Sequence, residues 1–503
     1  MLPEETLLDI FDFYRLDVED ESWPWPWKWH RLAHVCRKWR RVISMSPRRL
    51  ELGILCDYGA PVETLESVLD SWPTLPLYAR FGGQNWPTLS INLLKNTIAA
   101  LRRPDRVCEI DLVFPHLDES VDLIVEAIQK PFQSLDCIRI TTTNYDRLCK
   151  EPDDARLPKK EPIVVREAFL GGSAPLLMVI KLDGIAFPFP AIRQVLSSAA
   201  DNLLELHLAN IPNDLYFSPH DLVAGLAILR QLRGLTLGFH SPTPSASSSV
   251  APPQRTPLPS LVSLEYDGPR EYIEDFVARI DSPALCQINI RLFQDISFEL
   301  PQLCKFIPLL DALRSPTCAH VIHFRDFVRV SFFEEGRPEY EHYDFETTGG
   351  WVGRQLVFVA QIARHLSPLL SGVRNLGISS DQRLPVEEGD EDNLDEWLAF
   401  FEPFSHVTEV EVWGQGLVLG VMLALDESEG MDAEVLPELT TLRLDECPVP
   451  LTEQFVAKRR LSTGHTVLVE LIESSSEGSS EGSSEGSIEG SSEGSIESSS
   501  DSS

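Results

Sequence analysis

Histidine and cysteine are the side chains that would carry metal or nucleophilic chemistry here, and their spacing argues against both. His320 and His323 flank "VI", and His342 lies in "YEHYDFE". On a strand, a three-residue step turns two rings to opposite faces, which is poor for sharing a metal ion. All three read as ordinary surface or core histidines. The nine cysteines (Cys36, Cys56, Cys108, Cys137, Cys149, Cys286, Cys304, Cys318, Cys447) are scattered, mostly in apolar phrases, with no C-x-x-C pair. They read as buried thiols, signalling neither a zinc site nor a disulfide framework. "FLGGSAP" at 169–175 shares with a phosphate cradle only its two glycines. "EEGDEDNLDE" at 387–396 lacks the Asp-x-Asp-x-Asp-Gly spacing of a calcium loop and reads as a charged surface stretch. There is no P-loop, no G-x-G-x-x-G after a strand, no G-x-S-x-G elbow between a strand and a helix, and no H-E-x-x-H. The expectation is a protein that is not an enzyme and needs no cofactor or metal.

The elements that would position any site follow a repeated phrase, apolar-x-x-apolar-x-apolar. It occurs at Val107/Ile110/Leu112, Leu135/Ile138/Ile140, Leu177/Ile180/Leu182, Leu203/Leu206/Leu208, Leu232/Leu235/Leu237, Leu261/Leu264/Tyr266, Leu285/Ile288/Ile290, Val373/Leu376/Ile378, Val407/Val410/Val412 and Leu439/Leu442/Leu444. The closing positions alternate with strand period, and the leading residue sits where the chain turns into the strand. Helix-period segments lie between, among them "SVDLIVEAIQK", "SPHDLVAGLAILRQL", "REYIEDFVARIDS" and "PQLCKFIPLLDALRS", several starting near Pro or Ser. Strand, turn and helix repeated every 25–40 residues or so is the signature of a stacked-repeat solenoid, because one such unit cannot bury its apolar faces alone. An ordinary α/β domain with several parallel strands is the alternative. From Leu203 to Leu285 the phrases fall 29, 29 and 24 residues apart, whereas 88 residues separate Leu285 from Val373. That gap is expected to hide at least one degenerate unit, with "CAHVIHFRDFVRVSFF" as the candidate.

Composition bounds the partners. The length of 503 residues exceeds what one compact core supports, and the 43% hydrophobic fraction permits a real core. Asp and Glu outnumber Lys and Arg by 77 to 43, a net charge of −34 that repels nucleic acid and anionic membrane from most of the surface. Neither is expected as a partner. The longest clean apolar run, "LVLGVMLAL" at 417–425, is too short to span a bilayer. The acidic opening "MLPEET" argues against a secretory or mitochondrial leader, so a cytoplasmic or nuclear location is expected. "SPTPSASSSVAPPQRTPLP" at 241–259 reads as a mobile loop, and "KEPDDARLPKKEP" and "DQRLPVEEGDEDNLDE" as charged excursions. From Glu473 to Asp501 every fourth residue is acidic among Ser and Gly, with no base. This reads as a disordered acidic Ser/Gly tail, either a solubilising repeat or a substrate for an acid-directed kinase.

The N-terminus differs from the rest. Leu7, Ile10, Phe11 and Tyr14 form one helical stripe, with Glu4 and Glu5 near the helix's positive end. Leu32, Val35, Cys36, Trp39, Val42 and Ile43 form another, flanked by Arg31, Arg37, Lys38, Arg40 and Arg41. Between them "WPWPWKW" places Trp23, Trp25, Trp27 and Trp29 around two prolines that force an extended path. These rings either pack over the helices or stand out as aromatic anchors for a partner. The bases from Lys28 to Arg49 are a solvated face, a complement to an acidic partner, or a local nucleic-acid patch. Under fifty residues of short amphipathic helix bury too little surface to stand alone, so they must pack on the rest of the chain or on another protein.

"LPEETLLDIF", "HVCRKWRRVI" and "SPRRLEL" together resemble the F-box over residues 2 to about 52. Thr6 stands where that pattern commonly has a branched aliphatic residue, and the tryptophan insertion is unusual for it. The remainder, including "PDRVCEIDL", "FLGGSAPLL" and "YIEDFVARIDSP", looks like the leucine-rich-repeat-like F-box proteins abundant in mushroom-forming fungi. The resemblance implies an α/β protein in three parts. Residues 1–50 would be an N-terminal three-helix F-box; 51–472 an irregular leucine-rich-repeat-like solenoid with a curved parallel sheet; and 473–503 the tail. It further implies a substrate-recognition subunit of an SCF-type cullin–RING ubiquitin ligase, bound to the Skp-type adaptor through the F-box and to an unknown protein substrate through the repeats. Leu2, Pro3, Leu7, Leu8, Ile10 and Phe11 would belong to the first adaptor-binding element, and Val35, Cys36 and Trp39 to the second. The sequence does not divide these positions between the adaptor contact and the module's own core. The alternative is a repeat scaffold whose F-box-like helices only cap the solenoid.

Overall fold

The computed structural model of the chain describes residues 2–16, 30–46, 54–56, 61–82, 91–114, 119–142, 163–212, 215–240, 255–293, 298–310, 316–336, 342–348, 352–380, 393–428, 435–445, 449–462 and 466–472. The tryptophan stretch at 23–29, the excursions at 150–162 and 381–392, residues 241–254 and the tail at 473–503 lie outside them.

Helices α1 (Glu4–Leu16), α2 (His30–Val35) and α3 (Arg37–Met45) precede a mixed α/β region built on one large sheet. Its strands are β1 (Ile54–Leu55), β2 (Leu77–Phe81), β3 (Val107–Phe114), β4 (Cys137–Thr142), β5 (Val179–Asp183), β6 (Glu205–Ile211), β7 (Gly234–Phe239), β8 (Ser263–Gly268), β9 (Gln287–Leu292), β10 (Cys318–His323), β11 (Phe327–Phe333), β12 (His342–Thr348), β13 (Asn375–Ser380), β14 (Glu409–Val412), β15 (Thr441–Asp445) and β16 (Leu468–Ile472). Strands β1 to β9 lie side by side in chain order, followed by β12, β11, β10 and then β13 to β16. Neighbours are parallel except at β11, which runs antiparallel to both β10 and β12.

Each of the ten repeated phrases becomes a strand, and the register aligns them. Ile110, Ile138, Ile180, Leu206, Leu235, Leu264 and Ile288 stand opposite one another from β3 to β9. All are buried, as are their i+2 partners from Leu112 to Ile290. The leading residue has its own job. Leu177, Leu232, Leu261, Leu285, Val373 and Leu439 each donate their backbone N–H to the carbonyl three residues back, closing a turn while burying the side chain. At the start of eight strands, two successive N–H groups then share one carbonyl of the neighbouring strand's unit, as do Arg233 and Gly234 on Leu204, Val262 and Ser263 on Arg233, and Thr408 and Glu409 on Arg374. Strand period thus sends one apolar row inward and one polar row outward along the whole sheet.

Helices connect many of the strands, including Ile91–Leu101, Phe189–Ser198, Pro219–Leu226 and Arg270–Arg279. Ser218 caps the third of these, its hydroxyl accepting from the Asp221 N–H at 3.1 Å, with Pro219 in the first turn where no N–H is needed. No helix among the described residues is long and apolar enough to cross a membrane; "LVLGVMLAL" belongs to the helix Gln415–Ser428.

Two expectations are corrected. "CAHVIHFRDFVRVSFF" is not a degenerate strand–helix unit but the hairpin β10–β11. Only three residues, 324–326, join its strands, too few for the crossover that a parallel pair requires. The Phe324 N–H donates to the Phe327 carbonyl and the two rings stack at 4.0 Å. In the insert at 241–259, residues Thr256–Pro257 pair in parallel with Ile280–Asp281, and Leu258 is buried. That end of the insert is built into the fold.

Candidate functional site

The N-terminal helices sort their apolar side chains by helical phase. On α1, Leu7, Leu8 and Phe11 are buried, while Ile10, at the edge of that stripe, is 41% exposed and Phe13, on the far side of the helix, 73%. Leu2 and Pro3, ahead of the helix, are exposed as well. The Trp39 and Phe11 rings meet in an edge-to-face arrangement with centroids 4.9 Å apart, which joins α1 to α3. Trp39 is half-buried, and Val42 and Ile43 complete the packing. Cys36 lies at the boundary between α2 and α3 as the cap of α3, its exposed Sγ 3.5 Å from the Trp39 N–H. Val35 beside it is 58% exposed and Met45, at the end of α3, 68%. Lys38 Nζ donates to the Leu2 carbonyl at 2.6 Å, holding the segment before α1 against α3.

Of the nine residues expected to meet an adaptor, Leu2, Pro3, Ile10, Val35 and Cys36 are therefore at the surface. Leu7, Leu8 and Phe11 are in the core, and Trp39 bridges the two. Tryptophans 23, 25, 27 and 29 lie outside the described residues.

The second surface is the open face of the sheet. One outward row runs Arg80, Asp111, Arg139, Lys181, His207, Thr236, Glu265 and Asn289 from β2 to β9. Glu109 Oε1 accepts from Arg80 at 3.3 Å and from Arg139 at 3.2 Å. Burial raises the pKa of Asp111, and burial with the nearby Lys181 lowers that of His207. Near the inverted strands Glu346, almost wholly buried, receives Arg291 at 2.6 Å and Arg329 at 2.5 Å. Beside them burial pushes the Asp267 carboxyl up to about 6, against the pull of Arg291. His320 and His323 face opposite ways, as their spacing predicts: His320 reaches Ser379 on the open face and His323 is buried. Among the described residues no group of three or more His, Cys, Asp or Glu could hold a metal ion.

The F-box-like family model matches residues 1–47 of the chain. This N-terminal segment is F-box-like. No curated protein matches the chain. The F-box-like segment coincides with α1–α3, and its surface includes two apolar residues that the sequence motif does not single out, Phe13 and Met45. Phe13 was within reach of periodicity, since it stands three residues after Ile10 on the same side of α1. Met45 carried no such signal.

Proposed function

We propose that the chain is a non-catalytic substrate receptor of an SCF-type cullin–RING ubiquitin ligase. Residues 1–50 would hook the Skp-type adaptor, and residues 51–472 would form a leucine-rich-repeat-like solenoid that presents a protein substrate; 473–503 would be the acidic tail. The observation that carries the reading is the F-box-like match at 1–47 on helices that leave Leu2, Ile10, Phe13 and Val35 in solvent. F-box-like domains are in general protein-interaction modules for such adaptors. Large apolar side chains held out of a small module's own core are what a partner buries. The repeat reading is supported by strands that, β10 to β12 aside, follow one another in chain order, with the same turn before six of them. The receptor's contribution to ubiquitin transfer is positional, raising the effective concentration of substrate near the charged transfer enzyme.

The test is co-purification of the full chain with the Skp-type adaptor. Leu2→Ala, Ile10→Ala, Phe13→Ala and Val35→Ala combined are expected to abolish it while leaving the melting temperature unchanged. Adaptor binding that survives this change rejects the reading.

One observation favours a second reading, that the helices cap the sheet. Leu7, Leu8, Phe11, Ala33, Val42 and Ile43 belong to the same continuous apolar cluster as Ile54, Leu65 and Leu77. Terminal units of a stacked architecture need such a cover. The two roles are compatible, because the buried and exposed residues of α1 are different ones.

A further inference from the structure

Along the open face almost every strand contributes an outward side chain, but β13 offers none at Gly377. In register, Gly377 lies between His320 of β10 and Glu411 of β14. The His320 ring fills part of the gap, its Cδ2 2.8 Å from where a Cβ on Gly377 would stand, so any larger residue would collide with it. The missing side chain leaves a depression of about 390 Å³ whose lining includes Phe333, Trp413, Glu335, Glu409 and Glu411.

The groups around it are unevenly charged. Trp413 Nε1 donates to Glu411 Oε1 at 2.6 Å, which fixes the indole ring. Asn375 Nδ2 donates to Glu335 Oε2 at 3.3 Å. Arg443 Nη1 donates to Glu409 Oε2 at 3.4 Å and Nε to Glu470 Oε2 at 3.0 Å. Each of the three lining carboxylates thus uses one oxygen. The other, on Glu335, Glu409 and Glu411, makes no hydrogen bond among the described residues. Burial lowers the His320 pKa, so this ring is neutral at physiological pH. Three carboxylates therefore face one guanidinium that is itself shared between Glu409 and Glu470. The long-range field adds to the imbalance, since the chain carries a net charge of −34.

A complementary ligand must be cationic, supply several donors at once, and offer a flat surface to the rings of Trp413 and Phe333. Guanidinium does all three: it is planar, always charged, has five N–H donors and stacks on aromatic faces. We propose that this depression receives an arginine side chain of a protein partner, held by the free oxygens of Glu335, Glu409 and Glu411 and stacked on Trp413. The inference rests on reading the sheet as a recognition surface and is independent of adaptor docking.

The test uses the purified full chain and a fluorescein-labelled Ser/Gly peptide with one central arginine, compared with the same peptide carrying uncharged citrulline. Fluorescence anisotropy is expected to show the arginine peptide binding at least about ten-fold more tightly, the scale of one charge-assisted hydrogen bond. Glu409→Gln with Glu411→Gln should erase that preference. Glu205→Gln with Glu265→Gln removes equal charge elsewhere on the same face and should keep it. Equal binding of the two peptides, no binding of either, or the same loss in both double variants overturns the proposal. Adaptor co-purification reads residues 1–47 separately, so lost arginine preference with intact adaptor binding rejects this inference alone.

Discussion

Phe11 and Phe13 lie two residues apart on α1, one packed against the Trp39 ring and the other in solvent. A motif match cannot separate them, because the positions that build a small module's core and those that meet its partner are both apolar. Burial does: Leu7, Leu8 and Phe11 are buried, Phe13 lies nearly opposite Phe11 in helical phase and is exposed, and Ile10, at the edge of the stripe beside Leu7, is partly exposed. The sequence names the apolar residues of the segment but does not divide them between core and surface. At the opposite extreme of burial, His323 makes a testable pH effect. Its Nδ1 lies 2.9 Å from Gln355 Oε1, whose amide nitrogen in turn donates to the Phe324 carbonyl. Nδ1 therefore carries the proton. Burial lowers the ring's pKa from 6.5 to about 4, against the pull of that hydrogen bond. Between these values the unfolded chain binds more protons than the folded one, so the contribution is complete above pH 6.5 and is lost as pH falls toward 4. A shift of this size corresponds to at most roughly 3 kcal/mol. The melting-temperature gap between the parent and His323→Gln should narrow as pH falls through this window; a constant gap would assign the acid sensitivity to other groups.

At the scale of the element, the repeated phrase was readable because its three apolar positions do different physical work. The last two face inward from the strand, and the first closes the turn before it. Leu232 shows this: its N–H bonds the Leu229 carbonyl, its side chain is 1% exposed, and Leu235 and Leu237 follow on β7. Leu232→Ala removes apolar volume at a fully buried position, so a loss of about 2–5 kcal/mol is expected, read as a lowered urea midpoint. A variant within about 0.5 kcal/mol of the parent, the range of ordinary surface changes, would mean the leading residue only decorates the turn. The stretch from β10 to β12 was not readable in the same way. Its strands alternate like the others, with Val321, Val328 and Val330 inward. Direction is set by the short 324–326 connection, and the inverted order of β10, β11 and β12 by long-range pairing that no local pattern records.

In the whole molecule, each sheet strand bonds only to its immediate neighbours, while the apolar cluster runs unbroken from Leu7 to Val467. Coupling along the chain is therefore local in hydrogen bonding and continuous in packing. Deleting residues 1–46 removes Leu7, Leu8, Phe11, Val42 and Ile43 from one end of that cluster. It leaves β1, only two residues long, at the edge of the sheet with β2 as its sole strand partner among the described residues. An edge so short gains little from its own hydrogen bonds, so its order depends on what covers its side chains. With hydrogen bonds running between neighbouring strands, opening is local and the damage should fade with distance. Hydrogen exchange on the truncated chain is expected to show lost amide protection in 54–81 and unchanged protection in β6 to β9. Protection retained throughout would make the F-box-like helices a pure hook with no structural duty. Protection lost throughout would make them indispensable to the entire sheet, and the local picture of its cohesion would fail.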